Sequence, residues 1–226
     1  MTTFTKFKGK TMSEKIKLDI ISDVVCPWCI VGYKHLEAAI KELDLQDRVE
    51  IEWQPFELNP DMPIEGEELR AHVARKYGSS REDSDRARES IAQAGADYGF
   101  NFDYFDNMKI VNTFDAHVLL DYAHHVGKQM ELKMRLFSAF FTEHKDVSKR
   151  DVLIQEAESI GIAAEESKTA FADNTIKERV KALESQWQQM GVSGVPTVVF
   201  NRTSALTGAQ PQASYKQVLQ ELLAEA

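Results

Sequence analysis

The chain contains two cysteines, and they lie two residues apart, in Cys26-Pro27-Trp28-Cys29. Disulfide exchange needs one thiolate to attack and a second thiol close enough to resolve the mixed disulfide that forms. A C-x-x-C segment meets both needs when it opens a helix. The first sulfur then lies among unpaired backbone N–H groups at the positive end of the helix dipole, which favours its anion. On this reading Cys26 is the exposed nucleophile, with a pKa drawn below the ordinary ~8.5, and Cys29, one turn in, is the shielded resolver. Trp28, next to such a thiolate, reads as a partly exposed platform for substrate, with a plain core aromatic as the alternative.

Two cysteines have other uses, and each fits less well. A zinc site wants about four ligands, commonly two such pairs or added histidines. The six histidines here are scattered, and none directly follows the pair. A purely structural bridge across two residues closes a very small loop and constrains the unfolded chain little. The expectation is therefore a working dithiol with no metal.

The elements that must position this pair are legible on both sides of it. Lys17 to Asp23 reads as a strand, with Leu18, Ile20 and Ser22 alternating against Ile21 and Asp23. Cys29, Tyr33, Leu36, Ile40 and Leu43 then share one helical face, and Pro27 stands near the first helical position, where a missing N–H does no harm. Arg48 to Trp53 alternates as a second strand and continues toward Leu58. A long helical stretch follows, with pieces at 67–77, 84–98, 113–126, 130–143, 152–160 and 176–190. Phe114, Val118, Tyr122 and Val126 mark the buried face of the third piece, with Asn112 or Thr113 as its cap. The charged run Ser79–Glu89 reads as a solvated helix face.

Sheet returns after Gly194-Val195-Pro196. Thr197–Phe200 reads as a buried strand and Ser204–Leu206 as a shorter one, with an amphipathic helix from Gln212 to the end. Proline cannot donate to a ladder, so Pro196 belongs at the first residue of its strand. The order β-α-β, helical block, β-β-α is the thioredoxin topology with a large all-helical insertion. The expected division is an N-terminal extension over 1–15, a thioredoxin-like unit from 16–62 and 191–226, and a helical insertion over 63–190 whose last helix packs back on that unit.

The net charge of −9 offers no positive surface for a polyanion, so a nucleic-acid partner is discounted. No stretch approaches the ~18 apolar residues of a membrane span. Lys17 and Asp19 interrupt the first apolar segment, which is too short and too polar for a signal-peptide core. The expected setting is cytoplasmic, and Met12-Ser13-Glu14-Lys15 reads as a natural start.

These motifs converge on a known family. SDVVCPWCIVG, QPFELNPDMP, NTFDAH, FFTE, GVSGVPTVVF and ALTGAQP run over nearly everything beyond Lys15, and with them the chain resembles the DsbA-like oxidoreductases, specifically their cytosolic FrnE-like branch. The resemblance implies a redox-active Cys26–Cys29 pair and a cis Pro196 facing it. It also implies substrate contacts from Pro27, Trp28, Val195 and Pro196, protein or glutathione-like thiol and disulfide substrates, and no tightly held cofactor. Two positions depart from the branch pattern, Val118 where Arg is expected and His144 where Gly is expected. Asn112 and His117 match it, with roles left open between helix cap, core histidine and site.

Two other readings compete. Kappa-class glutathione transferases and chromene-carboxylate isomerases are similar outside the dithiol but carry serine at the position of Cys26. A peptide-binding, chaperone-like module would use the apolar surface around Trp28 and Pro196, with redox chemistry incidental.

Overall fold

The computed structural model describes residues 15–225, so the expected N-terminal extension lies outside the described residues apart from Lys15. In chain order the elements are β1 (Ile16–Ser22), α1 (Pro27–Glu42), β2 (Val49–Pro55), β3 (Glu67–Glu68), α2 (Leu69–Tyr77), α3 (Arg81–Ala96), β4 (Lys109–Ile110), α4 (Phe114–His125), α5 (Gln129–Phe141), α6 (Arg150–Ser159), α7 (Ala164–Ala172), α8 (Asn174–Gln189), β5 (Thr197–Phe200), β6 (Ser204–Thr207) and α9 (Gln212–Glu225). Four strands form one sheet in the order β2-β1-β5-β6. β1 runs parallel to β2 and antiparallel to β5, and β6 pairs antiparallel with β5. This is the thioredoxin fold, with most of its helices between β2 and β5.

β1 lies inside the sheet, and only Lys17 along it is exposed. The alternation expected there is real, but both of its faces are covered. Leu18 and Ile20 join the main core with α1 and α9, whereas Ile21 packs with Trp187 of α8 and Val199 of β5. A central strand with helices on both faces buries nearly every side chain, polar ones included. Its buried Asp19 accepts from Gln54 Nε2 at 2.7 Å, and Gln54 Oε1 accepts from the Trp187 indole at 3.2 Å, so the polar atoms of this layer are paired.

β2 is an edge strand, and α5 covers its open edge. The Gln129 side chain accepts from the Trp53 N–H and donates to the Trp53 carbonyl, both at 2.9 Å, and so takes the place of a neighbouring strand. That pairing anchors α5 beside the dithiol.

The intervening segment departs from the expectations in several details. α7 is an additional helix. It has no side-chain cap of the usual kind; the Glu166 carboxylate accepts from the Ala163 N–H at 2.8 Å instead. β3 and β4 form a two-residue ladder between the helices. The buried side of α4 is Ala116, His117, Val118, Leu119, Leu120 and Ala123, and Val126 is exposed. Asn112 supplies the cap of α4 through Oδ1, which accepts from the Phe114 N–H at 3.0 Å. The charged run at the start of α3 is solvated only in part, because Ser84 is buried and Arg88 is half-buried.

Candidate active site

β1 runs into the site through Ser22, Asp23, Val24 and Val25, all buried. The turn that follows is closed by the Cys26 N–H on the Asp23 carbonyl at 3.2 Å and the Cys29 N–H on the Cys26 carbonyl at 3.1 Å. Cys26 is the extended N-cap of α1, and Pro27 follows at the first position. The first sulfur therefore sits at the helix end because a buried strand delivers the chain there and proline starts the helix at once.

Cys26 is only 4% exposed and Cys29 is fully buried. This corrects the expectation of an exposed nucleophile: Cys26 lines a cleft rather than the outer surface, and its thiol lies 3.9 Å from the Val195 carbonyl. Trp28 is 42% exposed above it. The Val195–Pro196 peptide is cis. The Pro196 carbonyl accepts from the Gly208 N–H at 2.8 Å, and Pro196 itself is buried behind the cleft rather than lining it. α1 passes close to this loop at Gly32, where an added Cβ would lie 3.2 Å from both Pro196 Cγ and Ala209 Cα.

Beneath the sulfurs lies a buried polar cluster of Ser22, Asp23, His117 and Lys133. Asp23 Oδ2 accepts from the Leu58 N–H at 2.8 Å, and its other oxygen stands 3.5 Å from His117 Nε2. Burial works against the Asp23 carboxylate. The His117 contact, the Leu58 N–H and the charge of Lys133 together outweigh it and hold its pKa below the usual value. Lys133 Nζ lies 3.5 Å from the Ser22 carbonyl, between the rings of Trp53 at 5.1 Å and Phe137 at 5.0 Å. Burial draws its pKa down to about 8, against the pull of Cys29, Asp23 and Cys26.

The two sulfurs titrate as a pair because they are neighbours in one buried site. Burial opposes a thiolate here, but the neighbouring thiol and the charge of Lys133 favour one, so one proton of the pair leaves below the ordinary thiol range. The second proton of the pair is held well above that range, by the neighbouring sulfur and by burial. The depressed pKa expected at Cys26 belongs here to the pair, whose first proton Lys133 helps to release from the buried side. Such a pair can present one negative charge to a disulfide, with a lysine near neutrality below it to exchange the proton.

Asp23 and Lys133 are the residues that reading by sequence passed over. Lys133 left a signal: with Gln129 it is a polar i, i+4 pair on a stripe otherwise formed by Leu132, Leu136, Phe137 and Phe140. Above the sulfurs, Cys26, Pro27, Trp28 and Val195 are brought together on one wall of a mostly apolar cleft of about 370 Å³, with side chains of α2, α3 and α5 opposite. A second hollow of about 550 Å³, around Lys17, Asp19 and Arg202, lies at the far end of β1 and does not reach the dithiol.

Fold and site together define a thioredoxin-type protein with a C-x-x-C pair at a helix start. Residues 17–220 match the DSBA-like thioredoxin domain, and the chain belongs to that family of thiol–disulfide oxidoreductases. It is 26% identical over 211 residues to the uncharacterized protein YwbO of Bacillus subtilis (strain 168), covering 93% of this chain and 96% of that one. Its structure is similar to the crystal structure of the probable DsbA oxidoreductase SCO1869 from Streptomyces coelicolor, with TM-score 0.88, 28% identity, and 93% and 91% of the two chains covered. It shares its fold with the cytosolic disulfide reductase DsbM from Pseudomonas aeruginosa, with TM-score 0.66, 19% identity, and 93% and 100% covered. Among the described residues no helix is long and apolar enough to cross a membrane.

Proposed function

We propose that this chain exchanges disulfides through Cys26 and Cys29. Cys26 attacks a substrate disulfide, forms a mixed disulfide and releases the first thiolate. Cys29 then attacks the Cys26 sulfur, closes the Cys26–Cys29 disulfide and releases the second. The reverse sequence oxidises a substrate dithiol. The observation that carries this reading is the unequal placement of the two sulfurs. Cys26 faces the cleft, while Cys29 is sealed behind it, beside the charge of Lys133. A resolving thiol needs that arrangement: it must reach Cys26 and be kept from substrate.

Val195 and Trp28 border the same opening, which supports substrate contact there, with Pro27 alongside and Pro196 supporting the loop from behind. The reading includes the division into a thioredoxin-like unit, 16–62 with 191–226, and a helical insertion over 63–190 that supplies the opposite wall. A reducing, cytosolic setting of the FrnE-like kind fits this reading, and the structure of the cytosolic disulfide reductase DsbM from Pseudomonas aeruginosa has been solved with GSH. Protein and glutathione-like disulfides are accordingly both proposed substrates. An insulin-reduction assay run beside a glutathione-conjugation assay tests the proposal. Dithiol exchange gives the first activity without the second, and loses it in Cys26→Ser. Conjugation that survives in Cys26→Ser would establish the transferase alternative instead.

A further inference from the structure

Three ionisable side chains other than the cysteines and tyrosines meet the cleft beside Cys26: His72, Asp83 and Arg88. Two of them are already engaged. His72 Nδ1 lies 2.7 Å from the Glu67 carboxylate. Asp83 holds the Ser80 cap of α3 and pairs with Arg86. Arg88 differs from both. Its guanidinium lies over the Tyr104 ring, 5.6 Å from the centroid, and among the described residues it makes no hydrogen bond and no ion pair. The acidic groups nearest to it have other partners: Asp85 is paired with Arg70, and Glu68 caps α2 by accepting from the Ala71 N–H at 2.8 Å. Burial and the neighbouring charge of Arg70 disfavour the Arg88 cation, so its charge is tolerated there at a cost that an incoming anion would relieve.

A half-buried, unpaired guanidinium in a mostly apolar cleft, whose other ionisable groups are already engaged, is matched by a planar anion, and a carboxylate accepts its two parallel N–H bonds. The volume of about 370 Å³ lies in the range of small-molecule sites, roughly 300–1,000 Å³. We infer that the cleft takes a low-molecular-weight disulfide bearing a carboxylate, with that carboxylate on Arg88, its body against Tyr104 and Trp28, and one sulfur at Cys26. This rests on the proposed exchange at Cys26 and adds the substrate's charge and size. The step balances as before: the protein dithiol loses two electrons and two protons, and the small disulfide gains them as two thiols.

The test uses the reduced full chain and two small disulfides, dithiodipropionic acid and its dimethyl ester. Initial rates are divided by those of a free dithiol of the same concentration, which removes their different intrinsic reactivities. The acid is expected to be preferred over the ester by about tenfold, the scale of one charge-assisted hydrogen-bonded pair. That preference should fall about tenfold in Arg88→Gln and largely survive in Arg88→Lys. It should be unchanged in Arg81→Gln, which removes an exposed cation of the same helix that does not line the cleft. If neither disulfide reacts faster than with the free dithiol, the inference of a small substrate fails, whereas loss of insulin reduction as well would overturn the exchange reading itself. Four results overturn only the anchoring of a carboxylate by Arg88: an ester that reacts as well as the acid, an equal loss in Arg81→Gln, a preference that persists in Arg88→Gln, or reduction of a neutral unfolded-protein disulfide that depends on Arg88 as strongly as the acid does. The wild-type comparison alone decides the matter should the Arg88 variants fail to fold.

Discussion

Asp23 Oδ1 stands 3.5 Å from His117 Nε2, and both side chains are buried directly below the C-x-x-C turn. The distance is long for a hydrogen bond, and neither atom has another partner, so each relies on the other for its polar environment. His117 belongs to the NTFDAH segment, whose role was open in the sequence, and its position ties α4 to the end of β1. Replacing His117 with Leu should leave a buried carboxylate oxygen facing carbon, at a cost of roughly 1–3 kcal/mol. The Asp23→Asn, His117→Leu double variant should be less destabilised than the two single losses added together. Denaturant midpoints of the four proteins measure that coupling, and strict additivity would show that the pair does not interact.

Lys133 gives a pH dependence whose sign follows from its depressed pKa. Below about 8 the lysine is charged in both the folded and the unfolded chain, and its burial cost is present in full. Between about 8 and the unfolded value of ~10.4 the folded chain releases the proton while the unfolded chain keeps it, so the folded state gains stability as pH rises. The stability of wild type relative to Lys133→Met should therefore increase across that window, by an amount on the order of 2–3 kcal/mol. The same substitution should raise the first thiol pKa of the reduced pair, read from thiolate absorbance near 240 nm. A flat stability difference from pH 8 to 10 would place Lys133 in contact with solvent.

Alkylation separates charge from access. The pair carries one stabilised negative charge, but of the two sulfurs only Cys26 meets the cleft. Iodoacetamide should modify Cys26 first in the native reduced chain, and Cys29→Ser should accumulate mixed disulfides at Cys26, seen by mass spectrometry. First modification at Cys29 would reverse the two roles.

Gly32 tests the contact between α1 and the Pro196 loop. Gly32→Val puts carbon where Pro196 and Ala209 already stand at 3.2 Å from the first added atom, and neither is the end of a flexible chain. Overpacking of about 1–3 kcal/mol is expected, together with slower exchange as the loop shifts away from Cys26. Gly32→Ala should be milder, because its better helix propensity offsets part of the crowding. Thermal midpoint and turnover, measured for both variants, should fall in the order Gly, Ala, Val.

No histidine lies between the two cysteines to add to the stabilisation of the pair's anion. Strong oxidants of this kind draw their driving force from a stabilised reduced thiolate. The pair should accordingly be more reducing than about −120 mV, measured against a glutathione buffer. A potential at or above that value would mean that the helix end outweighs the burial of Cys26.

The sequence by itself determined the β-α-β entry, the helix opening at Pro27, the late return to sheet and the chemistry of two sulfurs two residues apart. Each of these is a local matter of periodicity, proline placement or spacing, carried by neighbours in the chain. It also placed most helices to within a few residues. It missed α7, where a Glu166 carboxylate caps a backbone that has no capping side chain of the usual kind. The tertiary structure alone decided what surrounds the sulfurs. Lys133 and His117 come from helices about a hundred residues away, and their burial beside Asp23 depends on α5 docking through Gln129 on the open edge of β2. Arg88 likewise read as part of a solvated charged run, because nothing in its neighbours tells which side of α3 faces a cleft. Desolvation and Coulomb interactions depend on distance in space, so the position of the proton shared by Cys26 and Cys29 is set only once those helices have packed.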